Sequence, residues 1–443
     1  MIPHLRAPDL APSFLARGYT FIGWHCDRLG TDAFTGRLLG RQTLFLRGAA
    51  AADLVYTPGL FPRPGALPRS AVLLLQDRGS VQTLEGEEHR RRKLLFTSLA
   101  HPGEAERLAD LFEEEFTAAL PVWRSAGRIR FHDEAVRLLG RAAIRWAGIQ
   151  ADDRVMDQRA AELGSMVEHA GSIGPPNWAA RLRRRRTELW ARSVISSTRQ
   201  HLDADAPDGV SGRARDGARW PVDVVATHAE PSGGLLDEAT AAVELLNLLR
   251  PIVAVSRFIA FAAVALDAHP HWKRMLAEAG GTGNVELKSV AAPSHGDGVA
   301  GEGLSDARRF AEEVRRTTPF FPAVAGLAAR DFEWEGARFP AGTRTMVDLY
   351  GTNHDPRIWA DPRAFDPDRF ERVRVNADNL VPQGAGDAGA GHRCPGEAMT
   401  LALIERAAVA LARLEPAFPA QDLTVDLRRL PALPASGVIL DLS

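Results

Sequence analysis

The sequence predicts a mainly helical chain with a small β lobe, and three observations carry that prediction. From His89 to about Trp190 apolar residues return at helical spacing, as in Leu94, Leu95, Leu99, then Leu108, Leu111, Phe112, Phe116 and Leu120. Two later segments are apolar enough to be core helices, LLDEATAAVELLNLLRPIVAVSRFIAFAAVAL (235 to 266) and EAMTLALIERAAVALARL (397 to 414). Strand-like patterns with turn residues are confined to RLLGRQTLFLRG (37 to 48) and FEWEGARFPAGTRTMVDLYGTNHD (332 to 355).

Taken in order, GTDAF supplies turn residues ahead of the first β segment, and helical spacing then runs through the middle of the chain. Within it RLRRRR (181 to 186) reads as a solvated helix face and receives no function. Ala204 to Ala218 and Gly280 to Gly303 are rich in Gly, Ala, Ser and Asp without an apolar period, so they read as surface loops. Between them lies the central helix, about 235 to 266, whose acidic first turn suits the positive end of the helix dipole. It is also long enough to cross a bilayer, but Arg250 and Arg257 would each cost about 2.5–3.5 kcal/mol at mid-membrane, so a buried helix is expected and no membrane span. DARRFAEEVRRTTPFFP (306 to 322) reads as a helix stopped by Pro319.

No Ser/Pro-rich tether divides the 443 residues, so 1 to 443 reads as one domain. Hydrophobic residues make up 45% and charged residues 25%, which suits a packed interior and excludes disorder. The 54 Lys plus Arg nearly balance the 56 Asp plus Glu, so the net charge of -2 offers no attraction for nucleic acid. The start, MIPHLRAPDLAPSF, lacks a basic segment followed by an apolar stretch, and the expectation is a cytoplasmic protein. Cys26 and Cys394 lie far apart with no CxxC pair, which rules out a disulfide framework and a four-ligand zinc site.

The segment VPQGAGDAGAGHRCPG (381 to 396) carries the most chemistry. Four glycines precede Cys394 and one follows, directly before the last apolar helix. A cysteine near a helix start feels the positive dipole end, which favours the thiolate that binds iron. The residues alone leave two readings open: a metal-ligating thiolate, or a small buried thiol in a glycine turn.

Here the chain resembles the cytochrome P-450 superfamily, through several motifs in the expected order. Glu313 and Arg316 match its ExxR pair, DPRAFDPDRF (361 to 370) looks like the stretch whose arginine, here Arg369, completes a Glu-Arg-Arg cluster, and Cys394 falls at the proximal thiolate. The resemblance covers nearly the whole chain and implies a cytochrome P-450 fold binding heme b, with Cys394 as the iron ligand and His392 touching a propionate. FPRPGALPRS and GSVQTLEGEEHRRRK are similar to segments that make Arg63, His89 and Lys93 further candidates for holding the propionates.

The chain departs from the common pattern in its central helix. The acidic residue beside a threonine used by most of the family to deliver protons is missing, and NLLRPIVAV places Arg250 and Pro251 in the interior. An interior proline costs about 3 kcal/mol, and a buried guanidinium needs an anion. LLRP, RRTTPFFP and PQGAGDAGAGHRC resemble the fatty-acid peroxygenases of the superfamily, which use hydrogen peroxide directly. The resemblance implies that Arg250 pairs with a fatty-acid carboxylate, which itself serves as acid and base, and that no redox partner is required. Gln82 stands where this branch has a polar residue over the heme, and members that favour decarboxylation tend to have histidine there. Pro395 follows the ligand directly and has no N–H to give the sulfur, so nearby amides must tune it.

The expected activity is hydroxylation of long-chain fatty acids at the α or β carbon. Rival readings are decarboxylation to terminal alkenes, a monooxygenase fed by a redox partner, and a heme sensor or carrier without turnover. Arg250 and Pro251 in place of the acid and threonine speak against the last two.

Overall fold

The computed structural model describes residues 2–76, 79–204, 219–230, 233–279 and 304–442. The two expected surface loops, apart from Ala204 at a helix end, lie outside the described residues.

The middle of the chain folds as Gly86–Leu99, Pro102–Ala126, Phe131–Trp146, Asp153–Glu168 and Pro175–Ala204, all helices, as the apolar spacing predicts. Their apolar faces meet the central helix and the helix Glu397–Leu414 in one large core containing Phe112, Trp123, Trp146, Leu245 and Ile404. The two buried tryptophans need partners for their ring N–H groups and find them in Glu134 (2.7 Å from Trp123 Nε1) and Glu104 (2.6 Å from Trp146 Nε1). In the basic run 181 to 186, Arg184 departs from the solvated face: it is 3% exposed and donates to Glu188 and the Leu73 carbonyl.

The β lobe centres on a four-stranded sheet. Its strands are Ala33–Leu38 (β1), Arg41–Arg47 (β2), Ala323–Leu327 (β4) and Arg344–Asp348 (β7), in the order β1-β2-β7-β4. Two short pairs complete the strands, Arg128–Arg130 (β3) with Ile439–Asp441 (β8), and Phe332–Trp334 (β5) with Ala337–Phe339 (β6). GTDAF is partly strand rather than turn, since β1 opens at Ala33. The reversal falls at Leu39 and Gly40, both at positive φ, as a tight hairpin turn requires. Residues 332 to 355 are not strand throughout either: Asp348 caps a short helix, Leu349–Asn353, by accepting the Gly351 N–H at 2.6 Å.

The central helix starts at Glu238, capped by Asp237 accepting from Ala239 N–H and Thr240 N–H. It breaks at Val255 and resumes as Ser256–Ala268. Pro251, which lacks an N–H, stands inside the first segment, and at the break the Val255 amide closes a tighter turn on the Ile252 carbonyl at 3.1 Å. The combined stretch Glu238–Ala268 has the length and apolarity of a membrane span, yet 78% of its most apolar window is buried within the fold. Arg257, 1% exposed, pairs with Glu168 and donates to the Ala432 carbonyl, so its charge is met inside the protein.

A charged cluster joins helix to loops. On the helix Asp306–Thr317, Glu313 takes two bonds of 2.7 Å from Arg316 and one of 3.1 Å from Arg369. All three side chains are essentially inaccessible, and both arginines use their remaining N–H groups on backbone carbonyls at 353, 360, 362 and 364. Removing one partner of such a group strands the others' charge.

Glu313→Gln is therefore expected to cost roughly 3–5 kcal/mol, read as a large fall in thermal midpoint; an unchanged midpoint contradicts the shared-charge account. A pH effect follows from His354. Burial pushes its imidazole down from the ordinary 6.5 to about 4. The folded value lies below the unfolded one, so its contribution is complete above the unfolded value and is lost as pH falls through about 4. Asp348, pushed up to about 7 by burial, acts with the opposite sign, its contribution being lost as pH rises through that value. Comparing wild type with His354→Gln isolates the histidine: acidification from neutral pH to about 5 should lower the wild-type midpoint more steeply than the variant's. Parallel curves would remove His354 from the acid response.

Candidate active site

Residues 381 to 396 lead from the β lobe into the helix Glu397–Leu414, whose first turn is preceded by Gly396. The glycines serve close packing inside the protein. A Cβ on Gly384 would come within 2.6 Å of the Tyr56 hydroxyl, and one on Gly391 within 2.7 Å of the Asp387 carbonyl. Gly384 and Gly386 also take positive φ, so other residues there are strained as well as crowded. The backbone then brings the Cys394 N–H to the Gln383 carbonyl at 3.2 Å. Burial raises the free Cys394 thiol, as does the Glu397 charge, while the Gly396 N–H, the Lys93 ammonium and the Arg315 guanidinium draw it down. With Pro395 unable to donate, the Gly396 amide takes over as the backbone donor on sulfur.

Lys93, on the helix Gly86–Leu99 and 3% exposed, gives its ammonium to the carbonyls of Gly391 (2.7 Å) and Arg393 (2.6 Å). Two of its three donors are thus spent bracing the cysteine loop, so the structure puts Lys93 to a use the sequence did not suggest. The other basic candidates converge. His89 lies against His392 with ring centroids 4.2 Å apart, and His392 Nε2 is 3.2 Å from Glu85. The same Glu85 oxygen accepts the Arg63 N–H at 2.8 Å. The Arg63 guanidinium lies over the Tyr56 ring and donates to the carbonyls of Ala325 and Val55, but its Nε is buried without a hydrogen-bond partner. Burial pushes His89 down to about 4, with the charges of His392, Lys93 and Arg63 adding to the effect. Burial would raise Glu85, yet its bonds to His392 and the Arg63 amide hold it below the ordinary carboxylate value.

This arrangement suits a heme. Arg63, His89 and His392 crowd around a single carboxylate and present donors for further anionic groups, as the two propionates of heme b are, and Cys394 offers the soft thiolate that iron takes.

On the other flank, the central helix carries Arg250, 3% exposed, and beside it Pro251, which is exposed although residues 252 to 260 are buried. Arg250 donates to the Leu75 carbonyl and to Asn247 Oδ1, the latter at 2.6 Å. Asn247 Nδ2 in turn reaches Gln82 Oε1 at 3.3 Å and Glu244 Oε2 at 2.9 Å. Gln82 Oε1 also accepts from Ser80 at 2.9 Å. The helix does hold a buried acid, then, but Glu244 is committed elsewhere: its Oε1 takes Arg92 at 2.7 Å and the Val81 N–H at 3.0 Å. Burial raises Glu244, against the bonds from Asn247, Arg92 and Val81.

The fold thus gathers Arg63, His89 and His392 into one cluster, joins Gln82 to Arg250 through Asn247, and assigns Lys93 to the cysteine loop. Sequence reasoning missed Asn247, Glu85, Glu244 and Gln383. Asn247 carried a signal, being polar, three residues before Arg250 and so on its helical face. Glu85 carried none, because its partners, Arg63 and His392, come from two distant segments.

Comparison with known proteins gives a consistent picture. The cytochrome P450 family model matches residues 308–407. Cytochrome P450 71D180 of Origanum vulgare is 38% identical over 98 residues, and the (+)-piperitol/(+)-sesamin synthase of Sesamum radiatum 36% over 87. These matches span only 19% and 16% of the plant proteins' lengths. Solved structures match far more widely. Cytochrome P450SP alpha, in complex with (R)-ibuprofen, is 40% identical with a TM-score of 0.85, covering 98% of this chain and 99% of that one. Cytochrome P450EX alpha with myristic acid is 33% identical, TM-score 0.84, covering 100% and 98%. Cytochrome P450 OleT in complex with arachidonic acid is 29% identical, TM-score 0.86, again covering 100% and 98%.

Proposed function

The chain belongs to the cytochrome P450 family, and from that premise we propose that it hydroxylates long-chain fatty acids at the α or β carbon with hydrogen peroxide. One observation carries the proposal: a buried arginine, Arg250, is aligned by Asn247 with Gln82 beside the exposed Pro251, where most of the family relies on an acid and a threonine. The ligands of the three similar structures, ibuprofen, myristic acid and arachidonic acid, are all carboxylic acids, which supports reading Arg250 as a carboxylate anchor.

The family's heme, when bound, supplies the iron at which hydrogen peroxide is activated for oxygen insertion into a C–H bond. Cys394 would ligate that iron through its thiolate, while Arg63, His89 and His392 would hold the propionates. Lys93 keeps the loop's carbonyls in place behind the ligand. Arg250 would meet the substrate carboxylate with its guanidinium charge, which fixes the acid end and leaves the α and β carbons nearest the reacting centre. So held, the carboxylate can take a proton from one peroxide oxygen and return it to the other, the acid and base work for which this helix has no side chain. Gln82 contributes a neutral polar wall, and Pro251 removes a helix N–H next to the anchor. Because peroxide brings both oxygen and oxidising equivalents, no redox partner is required.

Arg250→Ala should keep heme and its thiolate spectrum but lower peroxide-driven fatty-acid hydroxylation by roughly a hundredfold, about 3 kcal/mol of transition-state stabilisation. Fatty-acid binding followed by the heme spectrum should weaken in parallel. Undiminished turnover and binding in the variant would show that the carboxylate is anchored elsewhere.

A further inference from the structure

Gln383 lies at the start of the cysteine loop, and its side chain is held at both ends. Its Oε1 accepts from Arg315 Nε at 3.1 Å, and its Nε2 donates to Thr400 Oγ1 at 3.0 Å and faces Cys394 Sγ at 3.6 Å, an ordinary separation for a sulfur acceptor. Thr400 is itself fixed, its hydroxyl donating to the Gly396 carbonyl at 3.0 Å. Arg315 is 2% exposed and pinned by Glu312 at 2.6 Å, with Glu397 3.4 Å away. We infer that Gln383 is a positioning residue for the sulfur ligand, its amide polarised by Arg315 and supplying the thiolate with a side-chain donor.

The physical case rests on three features. Pro395 removes one N–H that could have pointed at sulfur, and a replacement donor is present within reach. A charged donor on the amide oxygen draws electron density from the amide and strengthens its N–H groups, and such chains reinforce one another where water is scarce. A donor on a metal-bound thiolate withdraws electron density from it, which raises the reduction potential of the iron and weakens the thiolate's electron donation to it. Arg315 therefore acts on sulfur through Gln383 and not only by its charge, while Thr400 keeps the amide from rotating away.

This inference rests on Cys394 as the heme ligand, so its test reads the ligand directly. In the purified heme protein, Gln383→Leu should retain heme, move the ferric/ferrous midpoint potential to more negative values, and shift the Soret band of the ferrous carbon monoxide complex to longer wavelength. Gln383→Glu, which preserves size and the bond from Arg315 but cannot donate to sulfur, should move the potential in the same direction and guards against misfolding of the leucine variant. Arg315→Met should produce a shift of the same sign, and adding it to Gln383→Leu should produce a smaller further shift than it does alone, because the part that passes through the amide is already lost and only the direct effect of its charge remains. A midpoint and Soret unchanged in both Gln383 variants, with the wild type showing a normal thiolate spectrum, overturns the inference alone. A wild-type carbon monoxide complex lacking the thiolate signature overturns the ligand assignment and the inference with it.

Discussion

One carboxylate shared by two buried guanidinium groups holds the cofactor side of this molecule together. Glu313 can bear being buried only because Arg316 and Arg369 meet it, and each arginine can be buried only because its other N–H groups end on backbone carbonyls. Those carbonyls belong to loops that apolar contacts alone would leave loosely placed. The cluster thereby fixes Asn353, whose carbonyl accepts from Arg316 and whose side chain accepts the Val381 N–H at 2.8 Å, and Val381 opens the cysteine loop. One residue back along the same helix, Arg315 reaches Gln383 in that loop. A single helix thus anchors the loop behind the sulfur and touches the amide in front of it.

The substrate side depends on a different constraint, a polar row within an apolar helix. Glu244, Asn247 and Arg250 stand three residues apart on one face, and each satisfies the next. Arg92 neutralises the acid end, and at the other end the guanidinium meets Asn247 and the Leu75 carbonyl. Pro251 follows this row inside the helix, which ends at Ala254 and resumes at Ser256. In the proposed function the carboxylate would meet groups already fixed by their neighbours, which lowers the ordering cost of binding.

Much of this was legible in the sequence because it is local. The last helix was read at 397 to 414, the bounds observed, and the helical middle followed from its apolar period. Glu313, Arg316, Arg369 and Cys394 could be singled out because the segments that carry them, in that order, resemble motifs of the cytochrome P-450 superfamily. What escaped reading is pairing across the chain. Lys93, a propionate candidate by resemblance, also braces the cysteine loop, because the fold lays the carbonyls of residues 391 and 393 beside it. Gln383 drew no reading from the sequence, and the fold surrounds it with Arg315, Thr400 and Cys394. The glycines of the loop allow close packing against the side chain of Tyr56 and the loop's own Asp387. The turn at Leu39 and Gly40 was misplaced because the residues before it have turn character yet complete a strand once a partner is available.

The central claim is that peroxide itself supplies the oxygen. The most direct test gives the purified heme protein a long-chain fatty acid and isotopically labelled hydrogen peroxide, without any reductase, and follows the label by mass spectrometry. The account predicts hydroxy acids carrying the peroxide label at the α or β carbon. Product that forms only with an electron donor, and takes its oxygen from dissolved dioxygen, would contradict it.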